Sequence, residues 1–354
     1  SQEKIPALNV GGDFSVDLLI NDFLIGDIPL EEALDGISAL QRRALDIQDP
    51  FVQARSLGLF DHLYLNILYR FSDAPREEIV RRSRERVREH LPKLVNVTRQ
   101  VNNANFNRYI VEFLNAASLT GSFDEFSEVI LESTVYADKA LYIHTEMVRE
   151  MSRAIFDHMI EATPEVFDGV AGKDAAYIRD HREEMKKLLD ECCLFHDIGK
   201  FFILDIVENS MRRLTDDEFG LIKQHPGHFT DIYQIIDDRD ERVLCIRDCA
   251  LTHHLWHDGT RGYPNVPQTK NRPFADILAI ADSIDAATDF LGRPYNSGKN
   301  IDQLIAEFQA EAGTHYGPEA CAALSVPAVR DRLEYLITEG RREVYYRIYA
   351  FNKL

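Results

Sequence analysis

The amino-acid sequence predicts an all-α fold, and three observations predict it. Apolar residues recur at three and four along nearly every long segment, the spacing that lays them on one face of a helix. No apolar–polar alternation runs longer than four residues, so no half-buried strand is indicated. Gly (18) and Pro (13) are sparse among 354 residues, which argues against the many turns of a β-sandwich. The length allows one large domain or two ordinary ones.

Pro29-Leu30-Glu31-Glu32 opens a helix, with acidic residues in the first turn where the helix dipole favours them. From Pro50 to Phe71 the recurrence of Leu57, Phe60, Leu63, Leu65, Ile67 and Leu68 predicts another. Ala74-Pro75-Arg76-Glu77-Glu78 starts a third, highly charged through Arg88, whose spaced opposite charges suit a solvated face. Segments 92–117 and 123–137 continue the helical pattern. Thr120-Gly121-Ser122 between them supplies turn chemistry and marks the expected division of the chain. On this reading residues 1–121 form an N-terminal helical domain for sensing or association, and residues 122–354 a catalytic domain. The first part carries no catalytic constellation. Helices through Tyr142 to Val148, through Leu188, Leu189, Cys192, Cys193 and Phe195, and over the apolar run 277–288 complete the pattern.

Hydrophobic residues make up 45% and charged residues 28%, a globular balance that excludes wholesale disorder. Lys and Arg total 40 against 59 Asp and Glu, a formal charge of -19. Such a chain repels a nucleic-acid backbone, so duplex DNA or RNA is disfavoured as a general partner. A small phosphate compound held by bound cations remains compatible. The five cysteines, Cys192, Cys193, Cys245, Cys249 and Cys321, include no CxxC pair and read as small core residues rather than a zinc–thiolate site. No basic segment followed by an apolar core opens the chain, and no apolar run approaches the ~20 residues that span a bilayer. A reducing, cytoplasmic location without a membrane partner is expected, for a chain that could be trimmed from something longer.

Histidines concentrate in the second half, and six of the 12 lie between His196 and His257. His196-Asp197 ends an apolar helical stripe, so both are carried inward, where a carboxylate is costly unless paired or metal-bound. Ile198-Gly199-Lys200 follows as a flexible point and a cation, or equally as an ordinary helix stop. Adjacent helical residues point about 100° apart, so His253-His254 serve one cluster only across two metals or at a helix end. His225 precedes Pro226. Asp282, Asp285 and Asp289 share one face of a core helix and need cations, and His144 lies on an amphipathic helix. Five His and two Asp exceed one coordination sphere; two metals bridged by Asp197 would use them all. Imidazole with carboxylate suits Fe, Mn, Zn or Ni better than Mg or Ca alone. Paired metals favour in-line displacement at phosphorus.

Together His144, His196-Asp197-Ile198-Gly199-Lys200 and Asp282 resemble the HD phosphohydrolase superfamily. Leu214-Thr215-Asp216-Asp217-Glu218 before His225-Pro226 is similar to the HD-GYP subfamily. So are His253-His254 followed by Asp258-Gly259-Thr260-Arg261-Gly262-Tyr263-Pro264, and residues 281–288 followed by Arg293-Pro294-Tyr295. The resemblance covers roughly residues 126–312, with a variant GYP motif. It implies an all-helical, metal-dependent phosphodiesterase acting on cyclic di-GMP or a related cyclic dinucleotide. It implies His144, His196, Asp197, His225, His253, His254 and Asp282 as metal ligands, with iron the first expectation and manganese the second. It implies Lys200, with Asp197, in catalysis, Lys200 reaching the scissile phosphate or the metal-bound water. Asp285 and Thr288 would support the site, and Gly262-Tyr263-Pro264 and Arg293 would lie on the substrate side.

The departures are specific. Some family members carry a Glu four residues before the first His and bind a third metal; Ala140 stands there, so two metals are expected. The family's His-His-Glu is His253-His254-Leu255. One residue is inserted between Asp258-Gly259 and Gly262, and two between Thr288 and Arg293. Asn296 replaces a common basic residue, with Lys299 as a candidate substitute. The metal core is complete and the substrate-reading shell altered. Two other readings compete: an HD-type nucleotidase or other phosphomonoesterase, and a catalytically silent nucleotide-binding signalling module. The His pair, Lys200 and the GYP loop favour the phosphodiesterase over the first, and the complete ligand set favours it over the second. A homodimer through the N-terminal helices is the candidate assembly. His228 and His257 read as surface residues, Trp256 as a base-stacking or core residue, and His62, His90, His158, His181 and His315 as structural.

Overall fold

The structure, a computed structural model, describes residues 15–101, 103–208, 212–232, 240–289 and 299–351. As expected, these residues are all-α, without a strand among them; their β pairing consists of two isolated bridges, Leu255 with Gly262 and Ala312 with Tyr316. They fall into two compact units. One takes the residues up to Ser133 and Leu204–Ile206; the other takes Thr134–Ile203 and most of the chain from Val207 onward. Thr120-Gly121-Ser122 separates two helices, and the division between the units falls within the second of them, at Ser133 and Thr134.

The first unit holds α1 (Ser15–Leu24), α2 (Leu30–Ala44), α3 (Pro50–Phe71), α4 (Arg76–Gln100), α5 (Arg108–Thr120) and most of α6 (Phe123–Ala137). α3 starts where its local chemistry directs. The Asp49 carboxylate accepts from the Phe51 and Val52 amides, and Pro50 sits in the first turn where its missing N–H costs nothing. The pattern over 92–117 reads as one stretch of helix; the structure divides it. α4 runs through Pro92 to Gln100, and the chain breaks before α5. Val87, Leu91, Leu94 and Val95 are buried along one continuous stripe, and that burial offsets the hydrogen bond Pro92 cannot donate. α3 packs on α2, α4 and α5. Inside, Asp61 is met by Arg86 Nε at 2.7 Å, His90 Nδ1 at 2.6 Å and Gln41 Nε2 at 2.7 Å, so its buried charge is answered. The charged face of α4 pairs with α6 through Arg76–Glu125, Arg84–Glu128 and Arg88–Glu132.

The second unit holds α7 (Lys139–Ala162), α8 (Ala175–Asp180), α9 (Arg182–Phe195), α10 (Asp205–Glu208, which crosses the division), α11 (Asp216–Ile222), α12 (His225–Ile232), α13 (Glu241–Thr252) and α14 (Arg272–Thr288). α15 (Ile301–Ala310), α16 (Pro318–Leu324), α17 (Pro327–Tyr335) and α18 (Arg341–Phe351) complete it. α7 is the centre: it packs on α9, α14, α16, α17 and α18, while α13 packs on α9 and α14. Met147, Met151 and Ile155 of α7, Leu189, Cys192 and Cys193 of α9, Ile246 and Ala250 of α13, and Ile277, Ile280 and Ile284 of α14 form one buried apolar interior. A close-packed interior of this kind holds helix ends in fixed relative positions. Those positions carry the site.

Candidate metal centre

His196 and His253 each sit one residue past a helix, at the C-caps of α9 and α13. The last carbonyls of a helix lack intrahelical donors. Here they orient imidazoles. His196 Nδ1 donates to the Cys193 carbonyl at 2.6 Å and His253 Nδ1 to the Ala250 carbonyl at 2.8 Å. His225 repeats the device after α11, its Nδ1 donating to the Ile222 carbonyl at 2.7 Å. A carbonyl only accepts, so each ring carries its proton on Nδ1 and turns a bare Nε2 inward. His144, early in α7, donates from Nδ1 to Asp285 Oδ2 at 2.7 Å and turns its Nε2 toward the same centre. The end of α13 also settles the question raised by adjacent histidines: His253 and His254 leave the helix together, with ring centroids 4.0 Å apart.

Asp197 lies between two sets of nitrogens. Its Oδ2 is 3.1 Å from His144 Nε2 and 3.4 Å from His196 Nε2; its Oδ1 is 3.0 Å from His225 Nε2 and 3.9 Å from His253 Nε2. Asp282 Oδ1 is 3.2 Å from His144 Nε2 and its Oδ2 4.0 Å from His254 Nδ1. Two groups that could each hold an ion result, His144 with His196, Asp197 and Asp282, and His225 with His253 and His254. Within each group the donor atoms lie within 4.8 Å of one another. His144 Nε2, His196 Nε2 and Asp197 Oδ1 are buried and make no hydrogen bond, a costly state for polar atoms that nothing else engages. Converging unpaired imidazole and carboxylate donors fit divalent transition-metal ions. Lys200 Nζ reaches back to Asp197 Oδ2 at 2.6 Å.

The protonation states agree with that use. Burial opposes charge on Asp197, but Lys200, His196 and His225 outweigh it and hold the carboxylate well below its usual range. Burial opposes Asp282 too, and His144 holds it well below as well. Burial, with neighbouring His254, His196 and His225, pushes His253 far below the ordinary imidazole value; burial takes His254 to about 3. These two rings are neutral at pH 7, with lone pairs free for a cation. His144 differs. Burial works against its charge, yet the surrounding carboxylates of Asp197, Asp282 and Asp285 hold its pKa well above the usual value. A cation entering there displaces its proton.

Asp285 and Thr288 lie buried beneath the cluster, committed to structure. Arg341 of α18, 1% exposed, is 2.9 Å from Asp285 Oδ1 and 3.4 Å from Asp289 Oδ1, and donates from Nη2 to Thr288 Oγ1 at 2.7 Å. Sequence reasoning missed this residue. The one available signal was the need of three carboxylates on a core helix for cations; Arg341 answers two of them. Tyr263 of the Gly262-Tyr263-Pro264 loop packs tilted against His254, centroids 4.6 Å apart. Gly262 has φ +100, and a Cβ there would strike the His254 carbonyl oxygen, so glycine is required. Gly199 is needed for a similar reason rather than for flexibility: a Cβ would collide with the His225 carbonyl oxygen. Thr215 and Glu218, part of the motif before His225, form a capping box on α11.

Arg293 and Asn296 lie outside the described residues. Lys299 is ion-paired with Glu307 at 2.6 Å, and Ala140 is exposed at the start of α7. Trp256 is stacked on His315, with Arg261 over its ring, His257 bonds Asp276 at 2.8 Å, and His228 leans on Phe202.

The family model described as HD domain matches residues 141–287. Over 131 residues the chain is 37% identical to a cyclic di-GMP phosphodiesterase of Pseudomonas aeruginosa, a stretch covering 37% of this chain and 30% of that protein. It is 28% identical over 201 residues to a cyclic di-GMP phosphodiesterase of Thermotoga maritima, covering 56% and 48%. It is 31% identical over 183 residues to a cyclic di-GMP phosphodiesterase response regulator of Xanthomonas campestris, covering 51% and 47%. The chain thus spans between about a third and a half of the length of these curated relatives.

Proposed function

We propose, from the premise that residues 141–287 are an HD domain of the HD-GYP type, that this chain is a metal-dependent phosphodiesterase hydrolysing cyclic di-GMP or a related cyclic dinucleotide. The observation that carries the reading is Asp197, whose two oxygens face two separate sets of histidine nitrogens. A site for one ion has no use for the second set, which sets this reading above a mononuclear nucleotidase. His144, His196, Asp197 and Asp282 would hold one ion, and His225, His253 and His254, with Asp197, the other. Iron is the first choice and manganese the second, since mixed imidazole and carboxylate donors suit both. Such a pair supplies charge neutralisation on the phosphoryl oxygens and a nucleophile at neutral pH.

The chain's own groups have distinct tasks. Lys200, already aimed at the cluster, donates to a non-bridging phosphoryl oxygen as charge builds there during in-line displacement of the 3′ oxygen. Tyr263, beside His254, offers a ring face to the dinucleotide. Asp285, Thr288 and Arg341 orient His144. The first unit is assigned to sensing or to association as a homodimer, and the protein to the cytoplasm, in keeping with its five free cysteines. Among the described residues no helix is long and apolar enough to cross a membrane.

Asp197→Ala tests the reading. Elemental analysis for iron and manganese should find two ions per wild-type chain and neither in the variant, and hydrolysis of cyclic di-GMP should fall to background. Retained metal with full turnover in the variant would overturn the assignment.

A further inference from the structure

One turn before the ligands His196 and His253, the same two helices bring three cysteines together. Cys192 of α9 faces Cys245 and Cys249, which share one face of α13 at i and i+4. Their sulfurs lie within 4.8 Å of one another and all three residues are fully buried. Sequence spacing gives no hint of this, because two of the sulfurs meet the third only through helix packing. The cluster has no place in the phosphodiesterase site, whose donors are nitrogen and oxygen.

We propose that Cys192, Cys245 and Cys249 form a three-sulfur site for a soft monovalent metal ion, Cu(I). Three features of the site choose the ion. The donor group contains three sulfurs and no histidine or carboxylate, whereas a closed zinc site takes four ligands. Soft sulfur ligands select Cu(I), zinc and iron–sulfur clusters, and three sulfurs fall short of the four ligands that a closed zinc site or a cluster takes. Finally, a monovalent ion on one thiolate and two thiols leaves no net charge in an apolar interior, where uncompensated charge is costly. Cys245 is the sulfur readiest to ionise: burial opposes its ionisation, but hydrogen bonds from Cys192 and Cys249 outweigh burial and hold its pKa below the ordinary thiol value. Burial pushes Cys192 the other way, so it stays a thiol. Binding releases at most one proton, from Cys245, and changes no oxidation state.

The full chain, reduced and metal-free, is titrated anaerobically with Cu(I) in competition with a colorimetric Cu(I) chelator. One equivalent should be held against the chelator, with a coordination shell of sulfur alone by X-ray absorption. Cys245→Ser and Cys249→Ser should each weaken retention by more than about a hundredfold, beyond the loss caused by removal of an outer partner. Asp197→Ala, which disrupts the nitrogen and oxygen centre, should leave retention unchanged. No retention, nitrogen or oxygen in the coordination shell, or retention that both serine variants preserve would overturn the proposal. Should a serine variant fail to fold, the coordination shell of the wild-type chain decides alone.

Discussion

Asp197 is 1% exposed and its neighbours divide by oxygen, histidines on both and Lys200 on Oδ2. Lys200 and Arg341 are two cations with different work at this site. Lys200 pairs with a group in the cluster, so its removal should spare the ligands while removing one preorganised donor. Lys200→Ala should lower turnover about a hundredfold or more with both metal ions still bound; near-normal turnover at full occupancy would exclude it from the chemistry. Arg341 acts two bonds away, through Asp285 to His144 Nδ1. Arg341→Gln leaves Asp285 buried without its cation, a defect worth about 3–5 kcal/mol when one partner of a buried pair is lost. It should also weaken metal binding some 10–100-fold, as loss of an outer partner does. Metal titration of the folded variant checks this, since a purely structural Arg341 would change melting and not affinity.

At the scale of elements, the site is a collection of helix ends. α9, α11 and α13 each stop just before a proposed ligand, and each lends a carbonyl from its last turn to that histidine's Nδ1. This places ring orientation under the control of helix termination, and termination under the control of local contacts such as Gly199 against the His225 carbonyl. Gly199→Ala forces those two backbones apart. Overpacking of this kind costs roughly 1–3 kcal/mol, and the displaced partner is itself a proposed ligand. The variant should therefore stay helical by circular dichroism and lose occupancy at the His225, His253 and His254 group first. Unchanged metal content with wild-type melting would show that the approach is more forgiving than the geometry indicates.

At the scale of the whole molecule, two units share one chain and only the second carries the ligand set. Metal that binds the folded state alone adds about 2.7 kcal/mol of stability at a hundred times its dissociation constant. For a unit of this size each kcal/mol moves the melting temperature by about 2–4 °C. With two such ions in the unit, chelation should thus lower one calorimetric transition by roughly 10–20 °C and leave the other in place. A single transition that shifts as a whole would show that the two units unfold together.

Much of this was legible in the residue string. The helical class, the start of α3 at Pro50 and the histidine and aspartate positions all rest on local spacing, capping and side-chain chemistry, which act over a few residues. His253-His254 even posed its own alternatives, and the end of α13 chose between them. Packing decided the rest. Pro92 does not break α4, because a buried stripe on both sides outweighs one missing hydrogen bond. Arg341 meets Asp285, and Cys192 meets Cys245 and Cys249, across long separations that no periodicity encodes. Histidine tautomers are set by carbonyls freed where helices stop. Local physics names the groups capable of chemistry; the mutual packing of α7, α9, α13 and α14 determines which of them share a site, because proximity across the chain is a property of the interior they bury together.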